Sequence, residues 1–367
     1  MTDDGPANQA LAGRVHRLAL IVPGDPDQPT GGYRYDARVA QELRRLGLAV
    51  DVVGLAGRFP DADERAGAAL DSTLSALPDG RLAVIDGLAL GGLPEIAHRH
   101  AGRLALIALV HHPLADETGL TPALRDRLLD CESRALAACR RIVTTSEFTA
   151  RRLFDLGVDP HRVRVVPPGV DPAAPRQPAD SPVQRLLCVG SLVPRKGQDL
   201  LIDALAGLKD LSWRLDLVGD PDRDSEFARS LEGDIDRHGL AERIEILGVQ
   251  SPDALDAAYR NADLLVVPSH YEGYGMVVTE ALARALPMIA TTGGALIDTV
   301  PPTAALQVPA GDRRALADAL RRWLVDSDLR AEKQAGAQRL RRSLDDWTAT
   351  GRRFAEALDI TIGKTAA

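Results

Sequence analysis

Two glutamates separated by seven residues follow an apolar run late in the chain, in "LLVVPSHYEGYGMVVTEAL". Glycines at 273 and 275 stand between Glu272 and Glu280, and the segment after them has helical spacing. A helix that begins after a glycine turn presents free backbone amides and a positive dipole end, which suits a diphosphate. Glu280 would lie on the first turns of this helix, where a carboxylate can accept both hydroxyls of a ribose. The alternative is two glutamates that only balance the helix dipole.

Two cations form a second candidate site in "CVGSLVPRKGQDLLIDAL", where Arg195 and Lys196 lie between an apolar run and a helix. Cations at the carboxyl end of a parallel strand would neutralise a leaving diphosphate as charge builds on it. The chain has 44 lysines and arginines, of which four are lysines, and Lys196 is the first of them. This rarity indicates that position 196 requires a compact ammonium group. The alternative is a solvated surface pair.

The first half of the chain offers a glycine pair, Gly31 and Gly32, at the predicted start of a helix. Small residues there let the backbone approach a phosphate or an acceptor. The spacing is not the dinucleotide fingerprint, so NAD is not implied. Asp25 and Asp27 form an Asp-x-Asp in the same loop, but such pairs recur at 61/63 and 222/224. We therefore predict no metal site.

Two histidines, His111 and His112, follow the apolar run "LALIALV". At the carboxyl end of a buried strand, a histidine could hydrogen-bond the group that is transferred or its acceptor. The alternative is a polar strand end that touches solvent. The sequence does not decide which of the two is functional.

Charge and composition exclude several classes of protein. The net charge is −8 without a long basic run, which argues against nucleic acid as a partner. The N-terminal residues are acidic and polar, unlike a signal peptide, and no apolar run is long enough to span a membrane. We expect a cytoplasmic protein. Cys131, Cys139 and Cys188 fit neither a disulfide framework nor a zinc site, so reduced thiols are expected.

The elements that must position these residues follow a repeated pattern of strand and helix. A chain of 367 residues is expected to form two domains. Alternation of apolar runs and helical stretches predicts parallel sheets covered by helices. Eleven such runs are "RLALIV", "LAVDVVGL", "LAVIDGL", "LALIALV", "RIVTTS", "VRVVPPG", "RLLCVGSL", "RLDLVGD", "RIEILG", "ADLLVVPS" and "PMIATTG".

The predicted boundaries follow from a proline-rich segment between the two series of runs. We predict a disordered tail at 1–14, an acceptor-binding domain at 15–170, a linker at 171–184, a nucleotide-sugar-binding domain at 185–345, and at 346–367 a helix returning to the first domain and a tail. Two doubly wound domains joined by one linker would place their strand ends on facing sides of a central cleft, where the candidate loops should lie.

Together these segments resemble family 4 of the retaining nucleotide-sugar glycosyltransferases, which have the GT-B fold. The resemblance covers nearly the whole chain, and the order of the segments makes it specific. Besides the glycine pair and the strand-end histidine, it includes "TTSEFTARRL", "VVPPGVD", "VGSLVPRKG", the long segment from "LGVQSPDAL" to "ALPMIAT", and a C-terminal tryptophan helix.

The resemblance implies roles for individual residues. Lys196 would bind the diphosphate, Glu280 the ribose, and Glu272 the donor sugar. The donor-binding set is Gly31, Gly32, Gly190, Ser191, Arg195, Lys196, Gly248, Val249, Gln250, Glu272, Gly273, Tyr274, Gly275, Met276, Val277 and Glu280, with 248–250 bordering the base. The catalytic set is His111 or His112 with Glu272, Lys196 and Arg195. The family commonly has arginine where this chain has Ser191, and Arg195 is the candidate replacement.

The resemblance also implies an activity in glycan biosynthesis. A hexosyl group would pass from a UDP- or GDP-linked sugar to an acceptor hydroxyl with retention of configuration, and no metal or other cofactor would be required. The acceptor stays open between a glycan, a lipid-linked sugar and a small molecule, as do peripheral contact with the inner face of the membrane and the oligomeric state. Alternatives are an epimerase, hydrolase or phosphorylase of the same fold, or a non-catalytic binding subunit.

Overall fold

The computed structural model describes residues 17–176 and 181–360. It divides the chain into two compact units: unit 1 runs to Gly169 and resumes at Trp347, and unit 2 is Val170–Asp346. The predicted tail at 1–14, residues 361–367 of the predicted C-terminal segment and residues 177–180 of the predicted linker lie outside the described residues. Residues 170–176 belong to unit 2, where Arg176 binds Asp263 at 2.8 Å.

The strands and helices alternate in both units. The strands are β1 Arg17–Pro23, β2 Ala49–Leu55, β3 Leu82–Asp86, β4 Ala105–Val110, β5 Arg141–Thr144, β6 Val163–Val165, β7 Gln184–Val189, β8 Trp213–Val218, β9 Ile244–Gly248, β10 Leu264–Val267, β11 Met288–Thr291 and β12 Ala305–Val308. The helices are α1 Gly31–Arg45, α2 Glu64–Ser75, α3 Gly87–Leu90, α4 Pro94–Ala101, α5 Pro122–Ala137, α6 Glu147–Asp155, α7 Gln198–Ala206, α8 Ser225–Arg237, α9 Pro252–Asn261, α10 Met276–Ala283, α11 Leu296–Thr299, α12 Arg313–Val325, α13 Ser327–Leu340 and α14 Trp347–Ala357.

Each unit contains a parallel sheet whose strands carry nearly continuous apolar runs because both faces are covered. Among the described residues, the strand order is β2-β1-β3-β4-β5-β6 in unit 1 and β12-β11-β10-β7-β8-β9 in unit 2. The prediction of two doubly wound α/β domains is confirmed. The direction of winding reverses between β1 and β3 in unit 1 and between β7 and β10 in unit 2. Ligands of such sheets bind outside the carboxyl ends of the strands at these reversals.

The eleven predicted apolar runs each contain a strand, and β12 is the strand that the sequence pattern misses. It is a four-residue strand, "ALQV", that pairs with β11 alone at the end of the sheet order. Its run is short and includes a half-buried glutamine, Gln307. Periodicity is weak in so short a segment, so the sequence pattern does not predict a strand there. The pairing with β11 is what makes the segment a strand.

The C-terminal helix α14 packs against α1 within unit 1. The ring of Tyr35 lies 6.1 Å from Trp347 and 6.4 Å from Phe354, between ring centres. A Cβ on Gly351 would lie 2.4 Å from Glu42 Cβ, so glycine is what lets the two helices approach. This helix therefore adds its apolar face to the core of unit 1 although it follows all of unit 2 in sequence.

The three cysteines are free thiols. Cys139 and Cys188 are buried, and burial raises the pKa of each to about 12, so neither ionises near neutral pH. Within the described residues, we find no helix with the length and apolar character needed to cross a membrane.

Candidate active site

The charged residues predicted for unit 2 meet at the point where its sheet reverses. β7 leads into the loop that carries Arg195 and Lys196, and β10 leads into the loop that carries Glu272. These two strands are hydrogen-bonded neighbours, with Leu264 opposite Leu186. Two loops that are 76 residues apart in sequence therefore start side by side.

Glu272 is the centre of this cluster. Its Oε1 lies 2.6 Å from Lys196 Nζ and accepts a hydrogen bond from Ser269 Oγ at 2.7 Å, and its Oε2 lies 3.5 Å from Arg195 Nη1. Burial alone would raise the pKa of this carboxyl, but the charges of Lys196 and Arg195 and the two hydrogen bonds outweigh burial and lower it to about 2. Glu272 is therefore a fixed anion at neutral pH.

Arg195 binds the glutamate loop through the backbone as well. Its Nη1 donates to the carbonyl of Tyr271 at 2.7 Å, and His270 N–H donates to the Arg195 carbonyl at 2.8 Å. The stem of Lys196 passes over Gly190, where an added Cβ would lie 3.4 Å from its carbons. Ser191, which stands where the family commonly has arginine, uses its carbonyl to accept Gln198 Nε2 at 3.1 Å. Its side chain is too short to replace a guanidinium.

A turn after β11 supports the glutamate loop from the other side. Glu272 N–H donates to the Gly293 carbonyl at 3.3 Å, and Ala295 N–H donates to the Glu272 carbonyl at 2.8 Å. Thr291 Oγ1 donates to the Ser269 carbonyl at 2.5 Å. Sequence reasoning missed this support, although two adjacent glycines after the apolar run "PMIAT" were a usable signal of close backbone approach.

We predict that Gly294→Ala destabilises unit 2 and displaces Glu272. Gly294 has φ +60°, and an added Cβ would lie 2.4 Å from the Glu272 carbonyl oxygen. The left-handed backbone costs alanine roughly 1 kcal/mol, and the clash adds to it. Thermal unfolding is expected to show a Tm lower by several degrees. Gly233→Ala is the control, because it lies within α8 with no atom within 4 Å of the added Cβ. Equal Tm values for the two variants would contradict the prediction.

The loop ends at the start of α10, which holds the second glutamate. Gly275 is the residue before the helix, with φ +86°, and Met276 and Val277 form the first turn with their amides outside any intrahelical bond. Glu280 is 8% exposed, and its Oε2 accepts a hydrogen bond from Tyr259 Oη at 2.7 Å. The Arg284 guanidinium lies 4.8 Å from the centre of the Tyr259 ring. The carboxylate thus has a fixed orientation beside the helix start.

Tyr274 fixes the middle of the loop with its side chain. Burial, together with the charge of Asp345, raises the pKa of the Tyr274 phenol to about 12. Its carbonyl accepts a hydrogen bond from Thr299 Oγ1 at 2.9 Å. The side chain is therefore an anchor, and the backbone of Gly273 to Gly275 is the part of the loop with small residues that a ligand can approach.

The predicted base-binding residues lie apart from this cluster. Gly248 ends β9, which is separated from β7 by β8, so the offset is about 10 Å at the usual strand spacing. The Gln250 side chain donates to the Leu247 carbonyl at 2.5 Å, and Val249 is 58% exposed. They share the carboxyl edge of the sheet with Lys196 but make no contact with Glu272.

In unit 1, His111 lies directly after β4, which is the neighbour of β3 in the sheet and so lies one strand beyond the reversal point. A Cβ on Gly32, the second residue of α1, would lie 3.4 Å from His111 Cδ2, and Gly31 precedes it at the helix start. His111 Nε2 lies 3.1 Å from Asp36 Oδ1 and 3.6 Å from Asp86 Oδ2. The glycine pair, the histidine and two carboxylates therefore form one cluster.

His112 points to a different environment. Its Nε2 lies 3.3 Å from Glu117 Oε2 in the loop after β4, and its side chain is 25% exposed. The two adjacent histidines, 20% and 25% exposed, thus differ mainly in their partners: His111 contacts two buried carboxylates, and His112 contacts a half-exposed glutamate.

The segment "TTSEFT" holds the backbone of His111. Thr149 Oγ1 and Thr145 Oγ1 donate to the His111 carbonyl at 3.3 and 3.5 Å, while Ser146 caps α6 by accepting from Thr149 N–H. Further along the loop, buried Glu132 accepts the Leu114 amide at 2.9 Å. These contacts give a physical role to a segment that the sequence offered only as part of a resemblance.

Sequence reasoning missed four polar partners of the site: Asp36, Asp86, Ser269 and Tyr259. Asp86 and Ser269 could have been predicted, because each lies at the end of a predicted apolar run, and the carboxyl ends of parallel strands are where ligand-binding residues lie. Asp36 lies four residues after Gly32 and so on the same helix face. Tyr259 carries no local signal, since its contact with Glu280 depends on how α9 packs.

Comparison with known proteins gives matches along most of the chain. A family model described as Glycosyltransferase Family 4 matches residues 9–174, and one described as Glycosyl transferases group 1 matches residues 173–339. The D-inositol 3-phosphate glycosyltransferase of Acidothermus cellulolyticus is 32% identical, over 88% of this chain and 84% of that protein. The protein of the same name from Saccharomonospora viridis is 31% identical, over 88% of each.

Solved structures with a similar fold are more distant in sequence. Sucrose-phosphate synthase from Thermosynechococcus elongatus has a TM-score of 0.77 at 21% identity, over 94% of this chain and 98% of that chain. Anabaena HepE, solved in complex with UDP and glucose, has a TM-score of 0.71 at 18% identity, over 93% and 99%. At these identities the likeness concerns the fold.

Proposed function

The chain belongs to the family 4 glycosyltransferases, and from this we propose that it moves a hexosyl group, with retention of configuration, from a nucleotide diphosphate sugar to an acceptor hydroxyl. The family and the GT-B fold predicted from the sequence are confirmed, and the protein is a glycosyltransferase. What the proposal adds is the stereochemical course and the roles of individual residues.

The ion cluster at the β7 and β10 strand ends is the observation that supports the proposal most strongly. Lys196 and Arg195 lie within 3.5 Å of Glu272, and α10 begins four residues later with free amides. Positive charge and amides on one edge of the sheet suit a diphosphate whose charge grows as it leaves. Glu272 provides carboxylate oxygens next to the same point, which suit sugar hydroxyls.

We assign the donor sites accordingly. Lys196 binds the diphosphate, with Arg195 in the role of the family arginine that Ser191 replaces. One carboxylate oxygen of Glu280 accepts the ribose hydroxyls, and the other accepts a hydrogen bond from the Tyr259 hydroxyl. The backbone of 273–275 and Glu272 bind the sugar, and 248–250 border the base. Because two side-chain cations already face the leaving group, the proposed reaction requires no metal.

The proposed transfer occurs on the face of the sugar from which the nucleotide leaves. The acceptor oxygen forms a bond to the anomeric carbon as the bond to the phosphate oxygen breaks, and the acceptor proton passes to that phosphate oxygen. No side-chain nucleophile takes part. The enzyme then acts by positioning and by stabilising the oxocarbenium-like sugar and the diphosphate. His111 donates a hydrogen bond to the transferred sugar or the acceptor.

The acceptor is proposed to bind in unit 1, beside Gly31, Gly32 and His111. The curated relatives are named for D-inositol 3-phosphate, so this compound and unphosphorylated inositol are the first acceptors to test. Chromatographic product analysis with and without acceptor distinguishes transfer from hydrolysis of the donor. The anomeric configuration of the product, read by NMR, tests retention.

We predict that a nucleoside diphosphate raises the Tm of the protein, and that the correct base raises it most, because a ligand of the folded state stabilises by mass action. Glu280→Ala should weaken binding of the ribonucleotide about 10-fold, a loss of about 1.4 kcal/mol. It should bind the 2′,3′-dideoxy analogue as the wild type does, because the lost contacts are to the two ribose hydroxyls. Exposed Glu232→Ala in α8 is the control. Absence of a Tm increase with every nucleoside diphosphate would contradict the donor assignment.

A further inference from the structure

His111 and two buried carboxylates, Asp36 and Asp86, form a group of three titratable side chains from three different elements. Asp36 comes from α1, Asp86 ends β3, and His111 follows β4. The two carboxylates are 3% and 6% exposed, and His111 Nε2 lies 3.1 Å from the first and 3.6 Å from the second. Buried charges persist only when they are paired, so the protonation of these groups is linked.

One carboxylate oxygen in this group has no donor. Asp86 Oδ1 accepts the Leu88 amide at 2.6 Å and Asp36 Oδ1 faces His111, but Asp36 Oδ2 is buried without a hydrogen-bond partner in the described part of the chain. An unpaired buried oxygen costs about 1–3 kcal/mol. A proton on Asp86 would provide the missing donor, as commonly occurs between neighbouring buried carboxylates.

We propose that Asp36 and Asp86 are positioning residues that share one proton and thereby keep His111 doubly protonated, so that it meets the substrate as a hydrogen-bond donor and not as a base. The substrate contact rests on the function proposed above; the protonation does not. With Nε2–H donating to Asp36, the donor left for substrate is Nδ1–H, which has no partner among the described residues.

The charges around the imidazole support this state. Burial raises the pKa of Asp86 to about 7, with the charge of Asp36 adding to it and that of His111 opposing it. Burial lowers the pKa of His111, but the charge and hydrogen bond of Asp36 and the charge of Asp86 outweigh it and raise it to about 9. Among the described residues, the other contacts of His111 are with uncharged groups: its ring lies 5.5 Å from that of Tyr35, between ring centres, and its backbone carbonyl accepts from the hydroxyls of Thr145 and Thr149.

The two carboxylates should respond differently to replacement by asparagine. Asp36→Asn removes the anion that holds the imidazolium, so the His111 pKa should fall by more than about one unit. Asp86→Asn keeps a donor to Asp36 Oδ2, because the amide N–H takes the place of the shared proton. The His111 pKa should then fall less than it does in Asp36→Asn, because only the smaller charge contribution of Asp86 is lost.

NMR titration of the His111 ring in the ligand-free full chain measures this directly, with His111→Gln to assign the signal. In each variant the alkaline limb of the kcat/KM profile should move to lower pH by the same amount as the NMR pKa, and it should move further in Asp36→Asn than in Asp86→Asn. Asp36→Glu, which restores the charge, should return the limb toward wild type. Circular dichroism and Tm identify variants that fail to fold, and if Asp36→Asn is one of them, Asp36→Ser removes the same charge in the titration.

An unchanged His111 pKa in folded Asp36→Asn, or equal losses in the two asparagine variants, would overturn the proposal. Because the titration uses no substrate, its result does not depend on the proposed reaction. If the NMR pKa shifts and the kinetic limb does not follow, the protonation state stands and the contact between His111 and the substrate is refuted.

Discussion

Replacing His111 by alanine is expected to lower kcat about 100-fold, with a smaller change in the donor KM. The imidazolium lies beside the start of α1 at the carboxyl ends of β3 and β4, and its pKa of about 9 keeps it charged at neutral pH. A donor that contacts the reacting groups matters most when charge develops on them, and this loss appears in kcat more than in KM. Steady-state kinetics with saturating acceptor measure both quantities.

His112→Ala is the matched control for this variant. It removes the same side chain from the next position, where the ring faces Glu117 and is 25% exposed. We expect its kcat to stay within about 3-fold of wild type and its Tm to change little, as is usual for surface substitutions. A larger loss of kcat in His112→Ala than in His111→Ala would reverse the assignment of the functional histidine.

The choice between these histidines shows what the sequence could not supply. The apolar run before them predicted a strand end correctly, and that alone placed both near the carboxyl edge. Successive residues after a strand point in different directions, and only the partners distinguish them. Those partners, Asp36 and Asp86, lie 75 and 25 residues away in sequence and meet His111 through the strand order. A local sequence pattern cannot predict a contact between residues so far apart in the chain.

In unit 2 more of the site could be predicted, because its chemistry is concentrated in two loops. Lys196 and Glu272 each stand within four residues of the end of an apolar run, and parallel strands bring such loops to one edge. The sequence did not show that β7 and β10 are neighbours, because five helices and strands (α7, β8, α8, β9 and α9) lie between them in the chain. Nor did it show that Lys196 contacts Glu272, since the resemblance gave each residue a separate role.

That contact raises a question about Lys196. An ammonium bound to a buried glutamate could act mainly in stability, because breaking a buried pair by removing one partner typically costs 3–5 kcal/mol. The pKa of Glu272 is lowered to about 2 from an ordinary value of 4.5. The pair therefore stabilises the fold above about pH 4.5, and the stabilisation is lost as the pH falls toward 2. A role in binding the diphosphate must be separated from this role in the fold.

Lys196→Ala is expected to lower kcat/KM for the donor by about 100- to 1,000-fold and to destabilise unit 2 at neutral pH. Lys209→Ala is the control, because Lys209 is exposed and donates only to the His238 carbonyl, so kinetics and Tm should be unchanged. Glu272→Gln removes the buried anion while keeping its shape. In the Lys196→Ala/Glu272→Gln double variant, the added loss of stability from removing Lys196 should therefore largely disappear.

The loss of donor binding should persist in that double variant, because the diphosphate still lacks its ammonium. Calorimetric titration with the nucleoside diphosphate measures this without reference to turnover, and a double-mutant cycle gives the coupling between the two residues. If the double variant binds the nucleotide as tightly as Glu272→Gln alone, Lys196 acts only as the partner of Glu272. The positive charge for the leaving group would then have to come from Arg195 and the first amides of α10, the remaining donors at this edge of the sheet.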